Sequence, residues 1–455
     1  MNIGNIHHSN TPCFFQDSFS RYRLFSYADN LFKINLDPIF GIKYGSIENQ
    51  SYKHWWNGFT TYGYLGPLGF SFDFRDNHKT ILSEELQNNF SPEIGYTRSK
   101  SDGESFDYSK FNASIGYNWE WGSISVNKGY LEWGYGTRGK LVLSNKAPSY
   151  PYIRFDISPV KWFSFNYIHA WLASDVVDSL ASYSTYRLGS EYNRVQYRSK
   201  YLASHTITIK PFSNLTFSLG ESVIYSDNLE FLYLFPLSFF RAADHYLSSS
   251  NNNAGANSQF FFNISSRNHI PNTHLFASLI IDEIVPGEIF SKENQRNQIG
   301  YQLGFSIVDL PVQNLTTKVE YTKILPFVYE HYIPTQTYAS RGYTLGHWIG
   351  HNADQLYLEL NYRILRGLEF TLWSEFVKKG ANGEVEQQYT TPSQPFLFGL
   401  DKNYTNYGLN IKYQFIHDLF AELNYQYSHI SIEQSNGAFE KKNIGDLSFA
   451  IYYGL

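Results

Sequence analysis

Apolar and polar residues alternate strictly over long stretches of the C-terminal half of this chain. In 407–415 the odd-numbered positions are Tyr, Leu, Ile, Tyr and Phe, and Gly, Asn, Lys and Gln stand between them. The stretches 356–364 and 419–427 show the same period of two. Because neighbouring side chains of a strand point to opposite faces, the pattern predicts strands with one apolar and one polar face.

Segments of this kind recur along the whole chain and predict an all-β fold of eighteen strands. Most of them are close to the 9–11 residues that a tilted strand needs to cross a bilayer. The predicted strands are 32–45, 54–66, 68–78, 111–120, 121–131, 152–160, 162–172, 201–212, 215–226, 258–268, 274–284, 298–310, 315–329, 354–366, 368–380, 405–418, 419–434 and 443–455.

The predicted connections alternate between short and long. Short connections such as 213–214 and 311–314 alternate with long ones such as 79–110, 173–200 and 381–404. Short periplasmic turns and long outer loops are typical of a transmembrane antiparallel β-barrel of the bacterial outer membrane. The full set of predicted long loops is 46–53, 79–110, 132–151, 173–200, 227–257, 285–297, 330–353, 381–404 and 435–442.

An even number of strands places both termini on the periplasmic side. We therefore divide the chain into an N-terminal periplasmic segment, 1–31, and a barrel, 32–455. The last strand alternates up to Leu455, as expected of a strand that the barrel-insertion machinery recognises. The first nineteen residues lack the basic and apolar regions of a signal peptide, so we expect the leader to have been removed or to lie upstream.

The composition agrees with a membrane barrel and excludes several other classes. Aromatic residues make up 18% of the chain and charged residues 17%, which favours aromatic girdles at the membrane interfaces over disorder. The formal net charge of −5 gives no basis for nucleic-acid binding. The most apolar run, 229–240, contains Pro236 and is too short for a membrane helix. A large soluble all-β protein is the alternative.

Three of the predicted outer loops combine Trp or His with Arg, Asn and Gly. They run over 128–154, 239–253 and 345–354. Aromatic faces stack on the C–H surfaces of sugars, and planar polar side chains bind the hydroxyls. The candidate polysaccharide-binding residues are Trp133, Arg138, Asn145, Tyr150, Arg154, Trp171, Arg241, Asp244, His245, His347 and Trp348.

The same side chains also suit a second role, in which they pack the loops into a plug that closes the lumen. For that role Arg138, Arg154 and Arg241 would pair with Asp175, Asp244 or Asp354. The predicted lumen face mixes both charge signs, so it favours neither a strong anion channel nor a strong cation channel. Its charged residues include Lys318, Glu320, Glu359, Arg363, Lys412 and Glu422.

Catalytic and metal sites are poorly supported. His347 and His351 are four residues apart, but Gly346 and Gly350 disfavour the helix that would align them. No Gly-x-Ser-x-Gly motif occurs, and a single Asp-His pair at 244–245 is a weak signal for a protease. We therefore expect a protein that is not an enzyme and needs neither metal nor cofactor.

One stretch resembles the Wzi family of outer-membrane capsule-assembly proteins. It is Glu132-Trp-Gly-Tyr-Gly followed by Gly139-Lys-Leu-Val-Leu-Ser-Asn-Lys-Ala-Pro-Ser-Tyr-Pro. Softer matches are Trp171-Leu-Ala-Ser-Asp-Val, the stretch 218–226, Asp244-His-Tyr-Leu and Leu345-Gly-His-Trp-Ile-Gly-His-Asn-Ala-Asp, so the resemblance covers about 110–380. Family members usually carry a helical segment ahead of the barrel, for which this chain has little room. Lys146 also stands where Asn is frequent.

The resemblance implies an eighteen-stranded barrel that is plugged by its outer loops and acts as a surface lectin for exported capsular polysaccharide. From it we expect a monomer in the outer membrane, whose partners are surface polysaccharide, outer-membrane lipids and the barrel-insertion machinery. The alternative function is a porin or transporter for small solutes or oligosaccharides.

Overall fold

The chain forms one closed antiparallel barrel in a computed structural model. The structure describes residues 13–16, 21–82, 90–251, 255–283, 287 and 296–454. Within these residues, eighteen strands make up the wall: β1 (Phe32–Ile47), β2 (Gln50–Leu65), β3 (Leu68–Thr80), β4 (Ser105–Trp119), β5 (Gly122–Gly129), β6 (Tyr150–Val160), β7 (Phe163–Val177), β8 (Tyr197–Phe212), β9 (Leu215–Ser226), β10 (Asn257–Arg267), β11 (Thr273–Glu283), β12 (Gln298–Val308), β13 (Leu315–Ile324), β14 (Ala353–Leu365), β15 (Leu368–Lys379), β16 (Lys402–Ile416), β17 (Leu419–Glu433) and β18 (Phe439–Tyr453).

Each strand pairs with its neighbour in the chain, and the last strand pairs with the first. Asp446 lies opposite Ile47 and Tyr453 lies opposite Phe40, so β18 closes the sheet onto β1. Closure gives every strand two partners and leaves no sheet edge facing lipid, which the bilayer interior requires. The eighteen predicted strands and the transmembrane barrel are confirmed.

The predicted long loop 46–53 is wrong. β1 and β2 continue their ladder to the pair Ile47–Gln50, and the strands are joined by a two-residue turn with Glu48 at φ 51°. The loop 435–442 shortens in the same way, to 434–438. In both places, polar residues extend the strand pairing beyond the apolar part of the wall. The alternation of apolar and polar residues therefore does not mark these strand ends. Leu455 and most of 285–297 lie outside the described residues.

The two faces of the wall have the predicted chemistry. On β14 and β17, the large apolar side chains Leu358, Leu360 and Tyr425 are exposed on the outer face. Residues of the opposite parity, such as Gln355 and Glu359, are buried on the lumen side. The predicted register of these strands is therefore correct, because a slip of one residue would exchange the faces.

Other elements lie at the two ends of the barrel. At the end with the short turns, Cys13–Gln16 pairs with Tyr22–Ala28, which pairs with β1 beyond the end of β18. At the opposite end, the hairpin Tyr183–Arg187 and Ser190–Arg194 extends outward. The remaining elements are Lys100–Ser101, α1 (Phe231–Leu234), α2 (Phe240–Asn251), Ala339–Ser340, Tyr343–Thr344 and the 3₁₀ helices Pro334–Gln336 and Val385–Tyr389.

The predicted outer loop 227–257 thus contains a helix of three turns. The alternation of apolar and polar residues does not predict this helix, because the apolar residues of α2 are spaced for one helical face rather than for a strand. None of the described helices is long and apolar enough to cross a membrane.

Replacing Leu409 by Arg should impair barrel assembly more than replacing Asn410. Leu409 lies at the centre of β16 on the outer face, and a charge there costs about 2–4 kcal/mol at the bilayer midplane. Asn410 faces the lumen, where its amide donates to Glu422 at 2.8 Å, so an arginine there has a carboxylate nearby. The heat-modifiable shift of the folded barrel on electrophoresis measures assembly. Equal defects in both variants would contradict the register.

A peptide tag inserted between Leu188 and Gly189 should be labelled on intact cells. Leu188 is 98% exposed at the tip of the outer hairpin. The matched insertion between Ser213 and Asn214, in the tight turn from β8 to β9, should be labelled only after the outer membrane is broken. Labelling of the second site on intact cells would reverse the orientation of the barrel.

Candidate functional site

Two loops fold into the lumen and form a plug, which comprises residues 130–149 and 325–352. Leu141, Val142 and Leu143 are fully buried, and they belong to one apolar cluster with Val328 and Leu345. The cluster also contains inward-facing residues of the strands β7–β11, β13 and β15. They are Ile168, Leu202, Ile224, Phe261, Ile280, Ile324 and Val377. The plug therefore has an apolar core, and two of the outer loops fold into the lumen as predicted.

Hydrogen bonds fix the plug to the wall and its two loops to each other. The carboxylate of Glu320 on β13 accepts from the backbone N–H of Thr137 at 2.7 Å and of Arg138 at 3.2 Å. The hydroxyl of Tyr329 donates to the Leu141 carbonyl at 2.5 Å. At Gly136 a Cβ atom would lie 2.2 Å from the Gly139 carbonyl oxygen, so this close approach requires glycine.

Arg138 is a plug residue in this arrangement. Its Nε donates to Glu375 on β15 at 2.8 Å, and its guanidinium lies 4.3 Å from the centre of the Trp373 ring. The same Glu375 carboxylate accepts from Gln355 at 2.8 Å. The indole of Trp348 donates to the Arg138 carbonyl at 2.7 Å. Arg138 and Trp348 are therefore brought together, but by packing inside the barrel.

The other candidates in the first loop also face the plug interior or its edge. The Trp133 ring packs against Phe261 at 5.6 Å, and its backbone N–H donates to Leu143. Tyr150 is buried at the start of β6, and Asn145 is half-buried. Sugar contact by these residues stays a prediction, whereas their role in packing is visible.

His347 and His351 are buried in the plug as neutral rings. Burial lowers the pKa of each to about 3. Nδ1 of His351 accepts a hydrogen bond from the Phe327 N–H at 3.1 Å, which requires that nitrogen to be unprotonated. The residues around them are not helical, as Gly346 and Gly350 predicted, and the described part of the chain has no group of three or more His, Cys, Asp or Glu arranged for a metal.

Two candidates lie on strands of the wall. Arg154 faces the lumen from β6, where its Nε donates to Asp156 at 2.8 Å. The placement of Arg154 in an outer loop is therefore wrong. Trp171 faces outward from β7 and packs edge-on against His169 at 4.9 Å, in the manner of an interfacial aromatic residue.

Arg241, Asp244 and His245 lie on α2, which packs against the outer face of the wall. Arg241 and His245 are exposed, and Asp244 accepts from the Ala256 N–H at 2.6 Å. The predicted pair Arg241–Asp244 is present at 3.9 Å, whereas Arg138 and Arg154 pair with Glu375 and Asp156 instead of the predicted partners. The three loops therefore do not meet at one site.

A cavity of about 440 Å³ lies beside the plug, at the outer ends of β1–β4, β17 and β18. The segment 90–98 covers it from the plug side, where the Gly95 N–H donates to the Lys146 carbonyl at 2.7 Å. Five cationic side chains and two carboxylates are among its lining residues, which are Lys43, Lys79, Arg98, Lys110, Lys146, Glu93 and Asp446. We call it the basic cavity.

Stacked aromatic rings form one side of the basic cavity. The Tyr96 ring lies 4.4 Å from Tyr108 and 5.4 Å from Phe106, both in near-parallel geometry. The Arg98 guanidinium lies over Phe106 at 4.5 Å, and Lys110 lies 5.7 Å from the Tyr108 ring. Burial raises the pKa of Tyr96. Cations held over ring faces can bind anionic groups while the rings stack on sugars.

The charge of three wall lysines in the basic cavity is not neutralised by ion pairs among the described residues. In the described part of the chain, Lys43, Lys79 and Lys110 make no ion pair within 4.0 Å. Lys146 differs, because its Nζ donates to the carbonyls of Ser91 and Glu93 at 2.7 and 2.9 Å, and burial lowers its pKa. The lysine at position 146 thus holds the segment 90–98 in place.

The basic cavity was not predicted from the sequence. Lys43, Lys79 and Lys110 each stand at a lumen-facing position of their strands, and this could be read from the alternation. Whether they line one cavity depends on how the strands pair, including β3 with β4. These two strands are separated by 24 residues (81–104), so their pairing cannot be read from the sequence.

Comparison with known proteins agrees with the fold. The Wzi protein of Escherichia coli, an outer-membrane protein involved in group 1 capsule assembly and a carbohydrate-binding β-barrel, superposes with a TM-score of 0.56 at 11% identity, over 91% of this chain and 84% of that one. OccK1 (OpdK) of Pseudomonas aeruginosa superposes with a TM-score of 0.51 at 9% identity, over 93% and 98%. At these identities the likeness concerns the fold alone. No curated protein sequence matches this chain.

The family model for the capsule assembly protein Wzi matches residues 66–444, which is most of the chain and reaches from β3 into the start of β18. The match extends well beyond the motif at 132–151 and includes the plug and part of the basic cavity. The protein therefore belongs to the Wzi family of capsule assembly proteins.

Proposed function

We propose that this protein is a non-catalytic barrel of the outer membrane that binds acidic surface polysaccharide and attaches or assembles the capsule. Membership of the Wzi family and the carbohydrate binding of the Escherichia coli protein support capsular polysaccharide as the ligand class. The outer loops hold the polymer in this proposal, and the protein acts as a monomer. Its other partners are outer-membrane lipids and, during biogenesis, the barrel-insertion machinery.

The basic cavity is the observation that carries the proposal. It lies at the outer end of the lumen and offers Lys43, Lys79 and Lys110, which make no ion pair within 4.0 Å among the described residues, next to the stacked rings of Tyr96 and Tyr108. Neutral sugar rings bind to aromatic faces, and the carboxylates of acidic sugars bind to lysines. A polymer segment with repeated negative charge matches both, and its attraction to the cavity weakens as salt screens the charges.

A channel for small solutes is the alternative function, and the plug argues against it. The apolar core of the plug reaches inward-facing residues of β6–β15, and the ion pair between Arg138 and Glu375 fixes it to the wall. The OccK1 likeness supports only the shared barrel fold.

Replacing Lys79 and Lys110 together by Gln should reduce the affinity for an acidic polysaccharide by about tenfold or more, since about 1.4 kcal/mol corresponds to a factor of ten. Cells with this variant should shed polysaccharide into the medium. Cell-bound and released polymer are measured with equal amounts of folded barrel, and the affinity of purified protein is measured at low and high salt.

The matched control replaces Lys441 and Lys442 by Gln. It removes the same charge from the outer part of β18, away from the cavity. Polymer retention should remain normal in the control. An equal loss in both variants would show that only net charge matters, and normal retention in the first variant would contradict binding in the cavity.

Replacing Arg138 by Ala should raise ion conductance in planar bilayers while polysaccharide retention stays near normal. Glu375 then loses its buried cationic partner, and breaking such a pair costs about 3–5 kcal/mol. Replacing Arg154 by Ala is the control, because its pair with Asp156 lies within β6 and does not fix the plug. Loss of polymer without leakage in Arg138→Ala would instead assign sugar contact to Arg138.

A further inference from the structure

Two ionisable side chains face outward from the wall in a row that is otherwise apolar or aromatic. Across β6 to β11, the outward residues of this row are Phe155, Tyr167, His205, Glu221, Phe260 and Ile281, each opposite the next in the strand register. Two residues further along each strand toward the short turns, Ile207, Leu219 and Phe262 are exposed on the outer face. His205 and Glu221 therefore lie at the upper border of the surface that faces lipid.

The chain covers these two residues with its own loop. Residues 229–251, which we call the outer-wall segment, fold down the outside of β7–β10 rather than over the lumen. Tyr233, Phe240 and Leu247 of the segment are buried in a cluster with the outward-facing Phe165, Tyr167, Ala203, Val223 and Tyr225. This cluster is separate from the plug core and lies on the opposite face of the sheet.

The start of α2 is fixed to the buried carboxylate of Glu221. Its Oε2 accepts from the Phe240 N–H at 2.9 Å, and its Oε1 accepts from the Arg241 N–H at 2.6 Å. His205 Nε2 lies 3.7 Å from the same carboxylate. A carboxylate at a helix N-terminus satisfies free N–H groups and matches the positive end of the helix dipole. Beside this contact, the Phe239 ring packs at 6.1 Å on Phe260, the wall residue opposite Glu221.

The surface that the first part of the outer-wall segment presents to its surroundings is largely apolar. Phe231 is 78% exposed and Leu237 is 73% exposed, and Leu229, Phe235 and Phe239 are also exposed. Residues 231–240 contain no charged side chain, whereas Glu230 and Arg241 flank them. The exposed residues of α2 itself, among them Arg241 and His245, are more polar. The segment therefore presents an apolar surface over residues 231–239 and a more polar one on α2.

We infer that residues 231–239 insert into the acyl chains of the outer leaflet beside the barrel, with α2 rising from them toward the headgroups. The occupant is lipid because the exposed apolar surface of the segment adjoins the wall through the contact of Phe239 with Phe260, next to the exposed Phe262 of the lipid-facing belt. The Glu221 contact holds the insert against the wall and keeps a carboxylate out of the hydrocarbon. Interfacial anchors of this type combine exposed Phe and Leu with a polar side.

Spin labels at single cysteines test the inference in the full-length barrel reconstituted into phosphatidylcholine vesicles. Cys13, the only cysteine, is first replaced by Ser. Labels are then placed at Leu237→Cys in one protein and at Leu188→Cys in another, the latter at the tip of the outer hairpin. We expect the label at 237 to collide with oxygen several times more often than with a water-soluble nickel complex, and the label at 188 to show the reverse.

Nickel access at position 237 equal to that at 188 would overturn the inference. Shielding from both reagents, with spin–spin broadening between labelled copies, would overturn it in favour of contact with a second barrel. In the background of Glu221→Ala, the label at 237 should become several times more mobile while the barrel stays folded on electrophoresis. Unchanged mobility there would refute the role of Glu221.

Discussion

The bilayer requires every backbone N–H and C=O group in its core to be bonded, and the pairing of β18 with β1 meets this requirement. Closure of the sheet decides the rest of the structure. It creates an outer face that must be apolar and an inner face that encloses a lumen. With eighteen strands, the lumen is wider than wall side chains can fill, so the chain fills it with two of its own loops.

The plug and the basic cavity occupy different sides of the lumen. On the side of β6–β15, apolar residues such as Leu141 and Phe261 make a dry core, and Glu320 and Glu375 bind the backbone and side chain of Arg138. On the side of β1–β4, lysines and stacked rings leave a polar cavity open to binding. In the proposed function, a barrel arranged in this way blocks passage and binds polysaccharide at its outer end.

The strands could be predicted from sequence because each of them carries its own alternating pattern, as β14, β16 and β17 show. The site could not be predicted to the same extent. Trp133 and Arg138 have the residue types of sugar contacts, yet they pack against Phe261 and Glu375, which lie more than 120 positions away in the chain. Lys79 and Lys110 line one cavity only through strand register, and α2 lies outside the barrel because Glu221 and the apolar wall hold it there. In all three cases, the position of the side chains depends on contacts between residues that are far apart in the sequence.

Photo-crosslinking on encapsulated cells tests the central claim most directly. A photoreactive phenylalanine replaces Tyr96 in the basic cavity, or Tyr186 on the exposed outer hairpin, and the barrel is probed for covalently attached polysaccharide after illumination. We predict attachment from position 96 and little from position 186. Attachment from 186 alone, with none from 96 in a folded barrel, would contradict a polysaccharide site in the cavity.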